Sequence, residues 1–330
     1  MRRSENMTIF IVGMSRSGTT LLSRILNSCD EVYILEETHF VREYVNKFPE
    51  VINDNEMERI VNKFITIQKK GIYGAEKPEQ CVSVIDDIRE KLFENRYVLI
   101  DLIKCLFSYE ARKRNKKIVG DQTPNHVFYI DYIVNNFENV RIINMVRDPR
   151  AVIASQKYKH LMAKSHNQPK YEVIRTRINY HPITQSILWK RSVKSALRGL
   201  KRYKNIINVK YEDLVSDPEK EIKRITQFIG IEYQDKMLNV DVGGTSNIER
   251  KKKNGFDKYL MRAWTKKLNP TEIFITEKIC KNEALQLGYD LSGERPEILS
   301  LIYYLTIFPI HVMLAFFYNY KRLSKTVTKK

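Results

Sequence analysis

The stretch Ile9-Phe10-Ile11-Val12-Gly13-Met14-Ser15-Arg16-Ser17-Gly18-Thr19-Thr20 holds the architecture of this chain in miniature. Its first four residues are apolar, rich in β-branching and stopped by Gly13, which predicts a short buried strand. From Thr19 to Asn27 the residues Leu21, Leu22, Ile25 and Leu26 recur at helical spacing. The opening unit is therefore strand, glycine loop, helix. Gly13 to Thr20 follows the frame G-x-x-x-x-G plus two residues of a phosphate-binding loop, with Thr19 in the place of the usual lysine. The glycines allow backbone N–H groups to turn inward, the helix N-terminus favours an anion, and Ser17, Thr19 and Thr20 add hydroxyl donors. The cation that reaches β- and γ-phosphates is missing. Ordinary hydrolysis of ATP or GTP with magnesium is not expected.

A second constellation lies about 130 residues on: Val146-Arg147-Asp148-Pro149-Arg150-Ala151-Val152-Ile153-Ala154-Ser155. The apolar run Val140 to Val146 reads as a strand, and Pro149 is well placed at a helix start. Arg147 then sits at a strand end, where a guanidinium can grip a phosphate. Ser155 follows eight residues later, about two helical turns, and can approach the same region.

Outward from these motifs, Val32 to Leu35, Lys117 to Gly120 and Asn205 to Lys210 read as further strands. Residues 55 to 114 read as mostly helical, with a turn around Gly71 to Pro78, and 156 to 182 as a long surface loop or partly helical excursion. Trp189, Val193, Ala196 and Leu200 mark a helix face. Strands alternating with helices predict an α/β three-layer sandwich with a mainly parallel central sheet. A catalytic body over 1–290 and a hydrophobic segment with a basic tail over 291–330 is the economical division.

The 330 residues are 43% apolar and 29% charged, enough to bury a real core. Lys and Arg exceed Asp and Glu by 18, which predicts anionic partners without choosing among nucleotides, acidic glycans, nucleic acid or a membrane surface. Cys29, Cys81, Cys105 and Cys280 show no C-x-x-C spacing and read as reduced core thiols. The N-terminal apolar run is too short for a signal peptide, so the body is expected in the cytoplasm.

Together the two motifs resemble those of the PAPS-dependent sulfotransferases. That family has a 5′-phosphosulfate loop like Ser15-Arg16-Ser17-Gly18-Thr19-Thr20 and a 3′-phosphate motif like Arg147 through Ser155. Order and spacing are most like those of the tyrosylprotein sulfotransferases and a related bacterial branch, and Tyr211 to Leu214 matches a Tyr-Glu-Asp-Leu segment after a late strand. The resemblance covers roughly residues 8 to 290 and is weak between 45 and 115. It implies a P-loop-like fold and transfer of a sulfuryl group from PAPS to a hydroxyl of a glycan, lipid-linked sugar or protein, with no metal. It places Arg16, Ser17, Gly18, Thr19 and Thr20 on the 5′ side, Arg147 and Ser155 on the 3′-phosphate, and Tyr211 near the adenine. In the late segment Gly243 to Lys253 it places Ser246 near the bridging region and Arg250 near the 3′-phosphate. Those relatives carry Glu-Glu-Thr where this chain has Glu36-Glu37-Thr38, which implies Glu37 as general base with Glu36 as the alternative. Many relatives have a lysine where this chain has Gln122, leaving Arg16 or another basic residue to stabilise the transferring group. A P-loop small-molecule kinase and a non-catalytic basic protein for nucleic acid or anionic lipid are the competing readings. Thr19 argues against the first, and the lack of an aromatic-basic RNA motif against the second.

Residues 298–320 contain no Asp, Glu, Lys or Arg and are long enough to cross a bilayer. Tyr303, Tyr304, Tyr318 and Tyr320 suit an interfacial belt, and Lys321, Arg322, Lys325, Lys329 and Lys330 suit anionic lipid. Pro309 and His311 interrupt the run, and a simple crossing would send the basic tail away from a cytoplasmic body. Contact with the inner face of a membrane, without a claimed span, is the expectation.

Overall fold

The computed structural model describes residues 7–74, 78–92, 97–165, 168–240 and 256–327. Strand β1 (Thr8–Gly13) runs into helix α1 (Thr19–Asn27) and back into β2 (Val32–Leu35). A π-helical turn (Val41–Val45), a short β3 (Val51–Ile52), α2 (Asp54–Gly74), α3 (Val82–Leu92), β4 (Tyr97–Val98) and α4 (Leu99–Arg112) follow. Next come β5 (Ile118–Asp121), a 3₁₀ turn (Pro124–Tyr129), α5 (Ile130–Asn136) and β6 (Val140–Val146). Beyond β6 lie α6 (Pro149–Lys157), α7 (Lys159–Ser165), α8 (Lys170–Ile178) and α9 (Pro182–Arg202). The chain continues through β7 (Ile206–Lys210), α10 (Tyr211–Ser216), α11 (Pro218–Ile229), α12 (Tyr259–Arg262), α13 (Pro270–Gln286) and α14 (Ile298–Val327).

Five strands form one parallel sheet in the order β2-β5-β1-β6-β7. β1 is central and wholly buried, and its side chains alternate between faces. Phe10 and Val12 join a cluster with α2, α3 and α4, whereas Ile9 and Ile11 pack with Leu22, Ile25 and Leu26 of α1. That two-sided burial is why β1 reads as a continuous apolar run rather than an alternating one. A third cluster joins Val152 and Ile153 of α6 to Trp189 of α9 and Ile273 of α13, with Trp264 packed against it.

The helix-strand order agrees with the sequence pattern, down to Thr19–Asn27 and Val140–Val146. The β3–β4 ladder carried no usable signal, being two residues on each side. The 156–182 stretch is folded as α7 and α8. Their apolar periodicity is weak because much of each helix stays wet. Cys29, Cys81 and Cys280 are buried free thiols. α14 is a single long helix whose portion Ile298–Tyr320 is apolar and long enough to cross a membrane, yet almost none of it is fully buried.

Candidate functional site

A parallel sheet delivers its loops together at the carboxyl ends of its strands. Here all five ends contribute: Met14–Thr20 after β1, Glu36–His39 after β2, Gln122 after β5, Arg147 after β6 and Tyr211 after β7.

The β1 loop is shaped by backbone that only particular residues tolerate. Gly13 has φ +138°, and a Cβ there would stand 2.3 Å from the Met145 carbonyl oxygen. Gly18 has φ +99° and leaves room for the Tyr211 ring, whose Cδ2 a Cβ would meet at 2.6 Å. Arg16, a non-glycine residue, is held at φ 80°, a strained left-handed conformation. The Ser17 amide closes the turn on the Met14 carbonyl at 3.1 Å. Gly18 is also the N-cap of α1, so no side chain caps the helix and its first turn holds no acid. Those amides are the orphan donors that suit an anion.

The two motifs touch. Arg147 donates from Nη1 to the Arg16 carbonyl at 3.2 Å, and Arg16 donates from Nε to Ser155 Oγ at 2.9 Å. A second Arg147 nitrogen donates to the Leu260 carbonyl at 2.7 Å, and its guanidinium lies 4.1 Å above the Tyr211 ring. Trp189 Nε1 fixes the Arg147 carbonyl at 3.0 Å. Arg16 also reaches Met162 Sδ of α7 at 3.3 Å. Among the described residues neither arginine has a carboxylate at ion-pair distance. Arg150 differs: it spends its charge on Asp148 and Glu277, at 2.7 and 2.8 Å, and stacks on Trp264. Burial, and then the like charge of Arg147, push the Arg16 guanidinium down to about 10, with the Glu37 carboxylate opposing. Of the buried polar atoms without a partner among the described residues, two belong to these motifs, Ser17 Oγ and Arg147 Nε, one on each. Leaving such a group unsatisfied costs about 1–3 kcal/mol, which a bound anion would recover.

The opposite rim carries acids. Glu37 is half-exposed, with Oε2 3.1 Å from His39 Nε2. Glu36 points into solvent, and its amide donates to Gln68 Oε1 at 3.1 Å. Between and below them is a fully buried carboxylate, Asp121. It accepts from the Thr38 amide at 3.2 Å, Thr38 Oγ1 at 2.6 Å, Thr123 Oγ1 at 3.1 Å and His126 Nδ1 at 2.8 Å. Burial pushes the Asp121 carboxyl up, but His126 and Thr38 together outweigh it and hold the group below its ordinary range. Thr123 Oγ1 in turn accepts the His39 amide at 3.2 Å. The Glu37 loop is thus fastened on both sides. Gln122 Nε2 donates to Thr19 Oγ1 at 3.0 Å, which commits the Thr19 oxygen and leaves its proton to donate.

Asp121, the Glu37–His39 pair, Met162 and the Leu260 carbonyl had no place in the sequence reading. Asp121 alone had a signal, an acid at a strand end five residues before a histidine. Tyr211 is buried beneath Gly18 and Arg147. Ser246 and Arg250 lie outside the described residues. No three His, Cys, Asp or Glu side chains among the described residues are grouped to share a metal ion.

Comparison with known proteins places this geometry. The chain is 24% identical over 250 residues to protein-tyrosine sulfotransferase A of Caenorhabditis elegans, covering 73% of this chain and 56% of that protein. A putative protein-tyrosine sulfotransferase of Caenorhabditis briggsae is 23% identical, covering 88% of this chain and 91% of its own. An uncharacterized Aquifex aeolicus protein is 24% identical over 70% of this chain, but only 26% of that longer protein is spanned. The chain thus spans about a quarter and just over half the length of two of these relatives. The sulfotransferase domain of the Synechococcus PCC 7002 olefin synthase shares the fold, with a TM-score of 0.55 and 20% identity over 87% of this chain and 96% of that domain. The description "Sulfotransferase family" matches residues 8–235, more than half of the sequence, and the chain belongs to that family.

Proposed function

We propose that the chain is a PAPS-dependent sulfotransferase acting on a hydroxyl of a glycan, lipid-linked sugar or protein. The observation that carries this is the direct Arg147–Arg16–Ser155 connection, which merges two anion-seeking motifs into one crevice. The residues fit a ligand with two anionic ends, because each motif holds a buried donor without a partner. PAPS supplies the sulfuryl group, which passes to the acceptor oxygen as its bond to the 5′-phosphate breaks and PAP is left.

The chain's own residues divide the remaining work. The α1 amides, Ser17, Gly18, Thr19 and Thr20 hold the 5′ side, and Arg16 faces the charge that spreads over the transferring group. Arg147 and Ser155 hold the 3′-phosphate. Tyr211 supports both Gly18 and Arg147 from below, and the family resemblance assigns Ser246 to the bridging region and Arg250 to the 3′-phosphate. Glu37 takes the acceptor proton, oriented by His39. Glu37, rather than Glu36, is assigned this role because its field acts on Arg16 whereas Glu36 faces solvent. Gln122 primes the Thr19 hydroxyl as a donor and brings no cation of its own. The body over 1–290 works in the cytoplasm, with 291–330 meeting the inner face of a membrane.

Calorimetric titration with PAP, followed by transfer from labelled PAPS to polysaccharide, lipid and protein pools, tests the reading. PAP binding that Arg147→Ala weakens about a hundredfold is the expected result. ATP turnover without PAP binding would replace it with the kinase reading.

A further inference from the structure

α14 is amphipathic in reverse. Its less exposed positions, Leu301, Tyr304, Phe308, His311, Ala315 and Asn319, recur every three or four residues and form one stripe against the body. Polar groups meet on that stripe. Arg175 donates to Asn319 Oδ1 at 3.0 Å, Asn319 donates to Asn179 Oδ1 at 2.7 Å, and Asn269 donates to the Tyr304 hydroxyl at 3.4 Å. The His181 ring lies 4.8 Å from that of His311. The outward surface is apolar and bare: Leu299 is 83% exposed and Phe317 66%, with Ile302, Leu305, Ile310 and Phe316 between them. A face of this size needs a cover.

We propose that α14 lies in the plane of an anionic bilayer, flat against the catalytic body, and that the acceptor is a glycolipid whose sugar hydroxyl reaches Arg16 from that side. The acceptor half rests on the sulfotransferase reading; the membrane half stands without it.

Three observations choose hydrocarbon as the cover and the plane as the orientation. First, a second copy would bring two chains of net charge +18 together, whereas an anionic surface compensates that charge. Exposed Lys164 of α7 and Lys170 of α8, the helix on which α14 packs, add positive charge, and α14 itself runs on through Lys321 and Arg322. Second, the helix is bonded to the body at both ends. The Glu297 amide donates to Thr271 Oγ1 at 3.1 Å, and Asn319 is held by α8. The steps from Glu297 to Asn319 span about 33 Å at helical rise, the thickness of a hydrocarbon core. Third, a helix crossing upright would drag α8 with it, and α8 carries Lys170, Glu172, Arg175 and Arg177. Lying flat keeps the exposed Lys170 and Arg177 in water.

The path from this surface to the chemistry is short. α8 packs on α14 and α7 packs on α8, while Met162 of α7 touches Arg16. Two helix packings amount to roughly 20 Å. A hydroxyl at the outer end of an oligosaccharide head group can bridge that distance, whereas a single hexose, shorter than one helix packing, falls short. An alcohol at the depth of the acyl chains cannot.

The test uses the full chain and vesicles of phosphatidylcholine and phosphatidylglycerol. The wild type floats with them, and Leu305→Asp combined with Phe317→Asp binds about a hundredfold more weakly with PAP affinity unchanged. Fluorophores on Ile302→Cys and Phe317→Cys are quenched equally by shallow-labelled lipid. Transfer to an oligohexosyl diacylglycerol in vesicles exceeds transfer to the same oligosaccharide on a short water-soluble chain by about tenfold or more, and the double variant loses only that preference. A wild type that stays in solution, or that covers the face as a dimer, overturns the membrane half. Unequal quenching depths overturn the planar orientation. Flotation with sulfation of soluble sugars or peptides but not the glycolipid overturns the acceptor half and leaves the sulfotransferase reading intact. Failure to bind PAP removes that reading, and the acceptor half with it, while flotation stands.

Discussion

The two rims of the crevice are built on opposite electrostatic plans. On the β1–β6–β7 rim, Arg16 and Arg147 crowd together with carbonyls, a hydroxyl and a thioether for company, and two donors are left unmet. On the β2–β5 rim the buried charge of Asp121 is met by four hydrogen bonds, and only Glu37 keeps a half-open carboxylate. An unmet charge is tolerable only where a ligand will supply the partner. A fully met one fixes geometry. The first rim is therefore left open to an anionic ligand, and the second holds the Glu37 loop still.

Substitutions that exchange those roles test the contrast. The largest effect is expected at Glu37: Glu37→Gln should lower sulfuryl transfer by about 10²–10⁴-fold while PAP binding, read by calorimetry, stays within twofold or so of wild type. Equal turnover would remove Glu37 from the chemistry. Next, Arg147→Ala should weaken PAP about a hundredfold, since charge-assisted bonds are each worth about 1.5–3 kcal/mol. A variant that binds PAP normally would dissolve the distinction between the rims.

Asp121→Asn should act on stability instead, costing about 3 kcal/mol in chemical denaturation. The folded carboxyl lies below its ordinary value, so its contribution is complete above the unfolded pKa of about 4 and is lost as pH falls through the lower folded value. Melting temperatures should then drop below about pH 4 more steeply for the wild type than for the variant. Parallel curves would mean that the carboxylate is not the group that locks the rim.

A smaller effect should appear at the α14 seat. Burial, and then His311, push the His181 imidazole down to about 4, so neutral His181 stabilises the fold fully above its ordinary value near 6.5 and loses that contribution as pH falls toward 4. Protection factors for amide hydrogen exchange in 298–320, taken relative to the intrinsic rate at each pH, should fall between pH 7 and pH 5 in the wild type and change little in His181→Gln. The least change is expected at Gln122→Ala, a few-fold loss of transfer through the lost hydrogen bond to Thr19. A thousandfold loss there would make Gln122 a principal stabiliser of the transferring group.

What could be read along the chain was whatever depends on near neighbours. Gly13 and Gly18 mark a turn because their own φ angles demand it. Leu21, Leu22, Ile25 and Leu26 mark a helix face because 3.6 residues make a turn, and Pro149 marks a helix start. The pairing of Arg147 with Ser155 came from the same local arithmetic, although the structure shows Ser155 bonded to Arg16 rather than to Arg147. The outward apolar surface of α14 was legible only as composition. Which side it turned to the body rested on Arg175, Asn179 and Asn269, far away in the chain.

By itself the sequence determined the parallel sandwich, the loop that cradles an anion and the two arginine-bearing motifs, because each follows from dihedral preference and periodicity over a few residues. Tertiary structure alone decided that Arg147 meets carbonyls while Arg150 pairs with buried carboxylates, that Asp121 clamps the Glu37 loop, and that α14 lies against the body. Those outcomes depend on side chains 80 to 140 positions apart meeting at hydrogen-bond distance, and no local energy term encodes a contact of that range.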